Sequence, residues 1–245
     1  MESFERYAVA SCHVERPLDD AVWARFESLL ESRPSGFVVT PLLRPPDAGE
    51  DEDRWLERAR RAASLAPLGH HTHWGGVEQA RPTEDVDAAA VVLDQAEWLR
   101  ARGLEPRFFC GGGWYLDLPV AEALASLGYV DCTATTFRQS YLDEAAPRLQ
   151  VTGPARIVLP GGLTLLELPA THSLGMLARR LHRLRGLVHV HFHDWELIDR
   201  RRALALETVL RLLSLRRRPL RLDELARRLS GAPETPWPGT ATIAS

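Results

Sequence analysis

Most of the histidines in this chain fall at the ends of three segments that have the character of β-strands. Seven of the nine histidines do so: His13, His70, His71, His73, His189, His191 and His193. Because side chains on a strand alternate between two faces, the three histidines in 188–193 share one face, opposite the apolar residues. The same count places Glu15 beside His13 on one face, and His73 beside His71 on another. We therefore expect imidazoles and a carboxylate to converge in the folded protein.

A lone histidine inside a barrel is usually a satisfied core residue, but packing alone explains this concentration poorly. Burying so many imidazoles without water or metal costs on the order of several kcal/mol in unmet hydrogen bonds. Imidazole and carboxylate ligands with no nearby cysteine pair favour zinc, or another divalent transition metal, in an open hydrolytic site. Such an ion polarises a carbonyl group and lowers the pKa of a water ligand to about 7. The sequence does not choose among zinc, cobalt, nickel, iron and manganese.

Short apolar runs that alternate with helical patterns predict the elements that would position these side chains. We predict strands at 7–14, 36–43, 68–74, 107–110, 129–133, 163–168 and 187–193, and helices at 19–31, 52–65, 83–102, 118–127, 174–184 and 199–215. Asp19 or Asp20 is placed to cap the first helix, and Thr83 the third. About seven β/α units favour a mainly parallel sheet closed into a barrel. A dinucleotide-binding sheet is disfavoured, because no Gly-x-Gly-x-x-Gly motif follows the first strand.

The helices of such a barrel pack on the outer face of the strands, which must then be apolar. The histidine-bearing faces therefore line the lumen, near the carboxyl ends of the strands, where β/α barrels carry their chemistry. On the helix at 83–102, the spacing of Val86, Ala90, Leu93 and Trp98 predicts the buried face.

One domain accounts for most of the chain. A β/α barrel of this length buries a sizeable core, and we assign residues 1–230 to it. Residues 231–245 hold three prolines and few apolar side chains, which predicts a flexible tail.

The composition limits the classes of partner. The 245 residues carry a formal net charge of −3, which favours neither nucleic acid nor an anionic membrane as the main partner. Arginines cluster in Arg200–Arg202 and Arg216–Arg218, and the solvated face of an amphipathic helix explains both runs most simply. Three widely spaced cysteines argue against a disulfide framework and fit a reducing cytoplasm. Without a signal-peptide pattern or an apolar run of roughly 20 residues, we expect a cytoplasmic protein with no membrane insertion.

Four segments resemble the motifs of the polysaccharide deacetylases (the NodB homology domain, carbohydrate esterase family 4). LGHHTHWGG at 68–76 resembles the Gly-x-His-Thr-x-x-His metal motif. FFCGGGWY at 108–115 resembles the segment that forms one wall of the groove, and GYVDCT at 128–133 is similar to the strand that follows it. VHFHDWEL at 190–197 resembles the late motif that carries the general acid of the family. The motifs come in family order over about 7–230.

The resemblance implies a distorted (β/α)7 barrel with one metal ion held by an aspartate and two histidines, an aspartate base and a histidine acid. Glu15 takes the position of the carboxylate ligand and His13 that of the base, while His71 matches the first metal histidine. The second metal histidine of the family falls on Gly75, and His73 is the substitute because it shares a face with His71.

The resemblance also implies the remaining roles. His193 takes the position of the general acid. The substrate groove would be lined by the backbone at Gly112, by Trp114 and Tyr115 as stacking surfaces for a sugar ring, and by His191. Aromatic core packing explains Trp114 and Tyr115 about as well.

Two departures from the family pattern occur together. The base position holds His13, and the arginine that pairs with the family's aspartate falls on Cys110. Losing both partners of an ion pair is coherent, since an unpaired buried charge is costly. Either the site has lost its activity and only binds, or His13 acts as the base or as a third nitrogen ligand; an imidazole with a pKa near 6.5 suits a general base.

The sequence therefore predicts a metal-dependent hydrolase of carbon–nitrogen bonds other than peptide bonds. Its substrate would be an amino sugar or a related small molecule that loses an acetyl or similar acyl group. The alternatives are a catalytically silent sugar-binding or regulatory domain, and an amidohydrolase that acts on a non-sugar C–N bond. The oligomeric state is not predicted.

Overall fold

A parallel β-sheet wound with helices forms the framework of the computed structural model, which describes residues 4–180, 184 and 186–238. The strands are β1 (Tyr7–Val14), β2 (Val39–Leu43), β3 (Gly69–Thr72), β4 (Phe108–Gly111), β5 (Val130–Asp131), β6 (Ala155–Val158), β7 (Thr164–Glu167), β8 (His172–Ser173), β9 (Val188–His193), β10 (Arg218–Pro219) and β11 (Glu234–Pro236). The helices are α1 (Asp20–Ser32), α2 (Glu52–Leu65), α3 (Ala88–Ala101), α4 (Leu118–Leu127), α5 (Leu174–Arg180), α6 (Arg200–Ser214) and α7 (Leu222–Ala226).

The strands follow one another in the order β11-β6-β7-β5-β4-β3-β2-β1-β9-β8, and β10 pairs with the start of β1. Among the described strands every neighbouring pair is parallel except β6 with β7. This confirms the predicted α/β fold with a mainly parallel sheet, whose crossovers are largely helical. Within the described residues, β8 and β11 end the order without pairing with each other, so the barrel is distorted rather than closed by hydrogen bonds.

Aspartates begin most of the helices. Asp19 accepts hydrogen bonds from the backbone N–H groups of Ala21 (2.9 Å) and Val22 (3.1 Å), which satisfies donors that a helix start leaves unpaired. The other capping aspartates are Asp51, Asp87, Asp117 and Asp199. The expected cap at Thr83 is wrong, because residues 83–86 form a turn and α3 begins only at Ala88. Asp87 directly precedes the apolar run and caps it instead.

The buried face of α3 also differs from the prediction. The residues that are buried there are Ala88, Val92, Ala96 and Leu99. Leu93 is 41% exposed, while Trp98 is half-buried and packs against Trp55 with ring centroids 5.4 Å apart. The helix carries so many alanines and valines that its apolar residues nearly encircle it, so spacing alone did not fix which face turns inward.

Alternation on β1 and β9 separates an apolar outer face from a polar inner face, as predicted. The outer residues pack with α1 and α6 in one core cluster and include Ala8, Ala10, Cys12, Val14, Val188, Val190 and Phe192. The residues between them point to the lumen. Three of these inner residues, His13, His191 and His193, line a cavity at the carboxyl ends of the strands.

The C-terminal part of the chain closes the amino end of the barrel. Leu222, Leu225 and Leu229 pack with Tyr7 and Val9 at the start of β1. Within the segment expected to form a tail (231–245), residues 234–236 form β11 on the free edge of β6 and so pair backbone groups that this edge would leave unmatched. Residues 239–245 lie outside the described part of the chain. No described helix has the length and apolar character needed to cross a membrane.

Candidate metal centre and active site

The inward-facing histidines meet because β1 lies between β9 and β2, with β3 next in the barrel wall. In the ladder between β1 and β9, His13 lies opposite His193. The ring centroid of His13 is 4.6 Å from that of His71, 5.0 Å from that of His193 and 5.6 Å from that of His191. Three imidazoles from two other strands therefore surround His13, at the end of the barrel where Glu15 leaves β1.

Three acceptor atoms converge beside this cluster. Glu15 Oε1 lies 3.3 Å from His73 Nε2 and 3.7 Å from His71 Nε2. The two Nε2 atoms are 3.1 Å apart. The ligand atoms of Glu15, His71 and His73 thus lie close enough together to hold one cation.

Backbone hydrogen bonds fix the tautomers of both imidazoles. His71 Nδ1 lies 2.7 Å from the carbonyl oxygen of Cys110, and His73 Nδ1 lies 3.1 and 3.2 Å from those of Gly76 and Val77. Because a carbonyl oxygen only accepts, each Nδ1 carries a proton, and the Nε2 atom of each ring points toward the other and toward Glu15. Metal-binding histidines show this arrangement, with Nδ1–H on a carbonyl group and Nε2 on the ion.

Two imidazole lone pairs and a carboxylate oxygen repel one another unless a cation lies between them. A proton is disfavoured at His71, because burial lowers the pKa of this imidazole despite its contact with Glu15. Burial alone would raise the pKa of Glu15, but hydrogen bonds that His71 and His73 donate when their Nε2 atoms carry protons hold the pKa below its ordinary value. Two neutral nitrogens and an ionised carboxylate form a donor set that suits zinc or a similar divalent ion.

A second group of potential ligand atoms comes from His13, His71 and Cys110. Burial raises the pKa of the Cys110 thiol well above its ordinary value, and the charge of Asp131 adds to the effect. Since the thiolate is the form that binds metal, this group is the weaker candidate.

The backbone at Glu15 and Arg16 is held by two side chains from neighbouring parts of the fold. Arg44 Nε, at the end of β2, donates to the carbonyl oxygen of Glu15 (3.1 Å). Asp194 Oδ2 accepts from the backbone N–H of Arg16 (2.9 Å). Trp195 Nε1 donates to Glu15 Oε2 (3.1 Å) and so fixes the carboxylate itself.

Arg44 lies beside the candidate site, and its position there was not predicted from the sequence. Its side chain is only 2% exposed, and it donates to both carboxylate oxygens of Glu50 (2.9 and 3.0 Å) and contacts Asp47 (2.9 Å). A buried arginine with two carboxylates is a rigid clamp. The signal in the sequence was a single arginine directly after an apolar strand, followed within six residues by two acids.

His193 lies at the edge of the cluster between two carboxylates. Its Nε2 is 3.6 Å from Glu15 Oε1, and its Nδ1 is 3.5 Å from Glu196 Oε2. Burial lowers the pKa of His193, but the hydrogen bond to Glu196 and the charges of Glu15 and Glu196 outweigh it, so the pKa is raised. The side chain is 29% exposed and therefore reachable by a ligand. Glu196, not the adjacent Asp194, is the orienting partner.

His13 has the opposite character. Burial lowers its pKa well below the ordinary value, and the neighbouring imidazoles of His71, His193 and His191 lower it further. No arginine replaces the ion-pair partner, because Cys110 occupies that wall and is fully buried. His13 is accordingly a neutral imidazole that faces the cavity.

The remaining histidines of the strands are held by protein groups. His70 faces away from the lumen, and its Nε2 lies 2.8 Å from Gln95 Oε1. His189 is buried in the lumen, where its Nδ1 lies 3.2 Å from the carbonyl oxygen of Leu168 and its Nε2 lies 2.9 Å from Ser11 Oγ.

A cavity of about 510 Å³ opens above the cluster. Its floor holds His13, Glu15, His71, His191 and His193. A second cavity of about 480 Å³ adjoins it and shares Ser173, His191 and His193 with it. The walls include residues that the sequence analysis did not single out, among them Phe137, Tyr141, Ser173 and Met176. Phe137 and Tyr141 lie in the loop after β5, Ser173 lies on the short strand β8, and Met176 lies in α5.

Of the predicted groove residues, Trp114 and His191 line the first cavity, and their ring centroids are 4.7 Å apart. Trp114 has φ +60°, a conformation that bulky residues rarely adopt and that costs roughly 1–3 kcal/mol. Gly112 does not line the cavity; a Cβ there would lie 2.6 Å from the carbonyl oxygen of Ala80, so close packing requires the glycine. Tyr115 turns away and donates to Asp117 Oδ2 (2.7 Å).

Two further acids are buried in the sheet, where Asp131 on β5 lies opposite Glu167 on β7. Asp131 Oδ2 and both carboxylate oxygens of Glu167 have no hydrogen-bond donor among the described residues. Burial, followed by the charge of Asp131, raises the pKa of Glu167 well above its ordinary value, and burial also raises the pKa of Asp131. Both shifts favour the protonated form of the pair.

Comparison with known proteins finds similarity in structure alone. No family model and no curated protein matches the sequence. Among solved structures, the 4-alpha-glucanotransferase from Thermococcus litoralis matches with a TM-score of 0.58 and 12% identity, over 93% of this chain and 39% of that one. A mutant of a CE4 family pseudoenzyme with restored enzymatic activity matches with a TM-score of 0.52 and 12% identity, over 90% of this chain and 67% of that one. The family 4 carbohydrate esterase from Streptomyces lividans matches with a TM-score of 0.49 and 12% identity, over 85% of this chain and 88% of that one.

These likenesses concern the fold. The fold is a distorted (β/α) barrel of the kind found in family 4 carbohydrate esterases. This confirms the fold that the four motifs implied. The chain spans about two fifths of the length of the glucanotransferase.

Proposed function

We propose that this protein is a metal-dependent hydrolase that removes an N-acetyl or similar acyl group from an amino sugar or a related small molecule. The observation that carries the proposal is the meeting of Glu15 Oε1, His71 Nε2 and His73 Nε2 within 3.1–3.7 Å of one another. When bound there, a divalent ion, zinc being our first choice, supplies Lewis acidity to a carbonyl group and a water molecule.

His193 is proposed as the general acid. It lines both cavities, and Glu196 accepts at its Nδ1 side, which leaves Nε2 to deliver a proton to the leaving amine. A positioned acid of this kind contributes about 10²–10⁴-fold to the rate.

His13 is proposed as the base. Its imidazole is neutral in this environment and faces the same cavity, so it can accept the proton of an attacking water. Trp114 and His191 form the adjoining wall, which we propose as the surface that receives the sugar ring. Gly112 and Tyr115 are not retained in that role.

The first experiment measures metal content and acetate release together. The purified protein should carry close to one divalent ion per chain, and it should release acetate from at least one member of a panel of N-acetyl sugars and simpler acylated amines. Release only from non-sugar amides would move the proposal to an amidohydrolase of another substrate class.

The second experiment tests the acid. His193→Gln should keep the fold and the metal but lower kcat by at least about 100-fold. His189→Gln, which alters a buried lumen histidine outside the ligand set, is the matched control and should lose far less. Wild-type turnover in His193→Gln would reject the assignment, and parallel loss of metal and activity would make His193 a ligand.

A catalytically silent sugar-binding domain is the second candidate. The observation that favours it is the joint absence of the family's aspartate and arginine at His13 and Cys110. One structural relative is itself described as a pseudoenzyme whose mutant regained activity. Sugar binding without bound metal, and without acetate release from any substrate of the panel, would select this candidate.

Glycosyl transfer, the activity named for the Thermococcus relative, is less well supported. A retaining glycosidase mechanism needs two carboxyl groups free to flank the bond. Glu15 belongs to the proposed ligand set, and Glu196 is occupied by the backbone N–H of His193 (2.9 Å) and by Arg202 (2.8 Å).

Cytoplasmic residence stays a proposal that fractionation of the native cells would test.

A further inference from the structure

Exposed apolar side chains are concentrated in one segment of the chain. Nine large apolar residues are exposed among the described ones, and five of them fall within 195–215: Trp195, Ile198, Leu204, Leu212 and Leu215. The most exposed is Leu215, at 77%, followed within this segment by Leu204 at 65%. Scattered exposed leucines need no explanation, but a concentration on one element does.

The leucines share the outer face of α6. Leu204, Leu212 and Leu215 are spaced by eight and three residues, which places them on one side of the helix. The opposite side of α6 is buried in the core through Leu206, Val209, Leu210 and Leu213. The helix is therefore apolar on both faces, although only one of them packs on the barrel.

Arginines frame this outer face. Residues 195–218, which include all five of these exposed apolar residues, contain seven arginines and three acids, Glu196, Asp199 and Glu207, and so carry a formal charge of +4 within a chain whose net charge is −3. Arg200, Arg201 and Arg211 are exposed on α6. Leucines flanked by arginines on a surface helix form the pattern of a helix that lies in a lipid interface.

We propose that the outer face of α6 docks on an anionic lipid surface. Charge complementarity selects this occupant over a second copy of the chain, because a symmetric pair across this face would bring arginines against arginines. The net charge of the whole protein does not indicate binding to an anionic membrane. The distribution of the charged residues along the chain does. Arginines near an anionic surface and leucines in the interface contribute separately to the same contact.

The start of α6 lies beside the second cavity. Arg201, Arg202 and Ala205 at the start of α6 line the second cavity, which reaches His193. A helix lying along the lipid surface would therefore hold the mouth of that cavity at the interface. A substrate attached to a lipid would reach His193 from there.

Vesicle co-sedimentation tests the docking without reference to catalysis. We expect wild type to sediment with vesicles of phosphatidylcholine containing about a third phosphatidylglycerol, more weakly as salt rises, and not with phosphatidylcholine alone. R200Q/R211Q should lower the partition coefficient roughly tenfold or more. R25Q/R60Q, which removes two exposed arginines from α1 and α2, is the matched control and should bind as wild type does.

L204Q/L215Q tests the apolar part and should also weaken binding at least about tenfold, whereas L163Q, on an exposed turn elsewhere, should not. All these side chains are exposed, so unchanged melting temperatures should accompany each variant. Absence of sedimentation at low salt would overturn the proposal. An equal loss of vesicle binding in R200Q/R211Q and in R25Q/R60Q would also overturn it. So would a dimer in solution that L204Q/L215Q dissociates.

Discussion

His71 and His73 turn their Nε2 atoms toward each other at 3.1 Å, while the Nδ1 of each is held by a backbone carbonyl oxygen. Neutral imidazoles in this arrangement present lone pair to lone pair. A cation in the space between them and Glu15 would relieve this repulsion, so we expect the stability of the protein to depend on metal.

Metal should therefore stabilise the fold. Zinc at a free concentration of about 100 times its Kd should raise the free energy of unfolding by about 2.7 kcal/mol, and a chelator should remove the gain. Thermal melts check this. H71Q should abolish the shift because it removes one of three ligands, whereas H189Q should retain it. A full shift in H71Q would contradict the ligand set.

The pH profile of activity should depend on Glu196. Glu196 raises the pKa of His193, and an acid must be protonated to act, so activity falls as pH rises through that pKa. In E196Q the pKa of His193 drops, and the alkaline limb of kcat/KM should move to lower pH. E207Q, on the exposed face of α6, should leave the profile unchanged. An unshifted limb in E196Q would separate Glu196 from the acid.

The carboxyl pair of Asp131 and Glu167 in the sheet should make the stability of the protein fall as pH rises. The pKa of Glu167 is raised in the fold, so above about pH 4.5 the unfolded chain releases a proton that the folded protein retains, and stability declines until the folded pKa is passed. E167Q should remove this decline in stability. Its Tm should equal that of wild type in acid and exceed it by roughly 2–4 °C at pH 7, the size expected for about 1 kcal/mol.

Differential scanning calorimetry of E167Q between pH 4 and pH 8 measures the effect, and E57Q on the exposed face of α2 is the control. A constant difference at every pH would show that packing, and not ionisation, separates E167Q from wild type.

Two leucines on α3 should respond very differently to the same substitution. Leu99 is 2% exposed and Leu93 is 41% exposed. L99A should cost about 2–5 kcal/mol in urea unfolding, because it opens a cavity in the core. L93A should cost within about 0.5 kcal/mol. Equal costs would mean that the face assigned to the barrel is wrong.

The sequence predicted best what short-range chemistry determines. The bounds of α2 and α4 agree with the prediction because Asp51 and Asp117 cap them and, for α4, Gly128 ends the helix with φ +73°. The alternation in 188–193 placed the histidines on the inner face because a strand has only two faces. Convergence of Glu15, His71 and His73 followed from that face and from the motif order.

What the sequence did not predict depends on distant partners. The strands β6 and β11 are short, and their pairing joins residues 155–158 to 234–236, for which no local pattern exists. Arg44 acquires its role only when β2 lies beside β1. Gly112 and Tyr115 sit in a motif that predicts a groove wall, but side-chain direction there follows from the left-handed backbone at Gly113 and Trp114, which spacing does not reveal.

The fluorescence of Trp195 should report on the state of the candidate site. Its indole N–H donates to Glu15 Oε2, and its ring stacks on His193 with centroids 5.4 Å apart. A cation arriving at Glu15 changes the electric field across the indole, and a proton arriving at His193 places an efficient quencher against its face. The emission of Trp195, isolated by subtracting the spectrum of W195F from that of wild type, therefore reports occupancy and protonation in the unmodified protein.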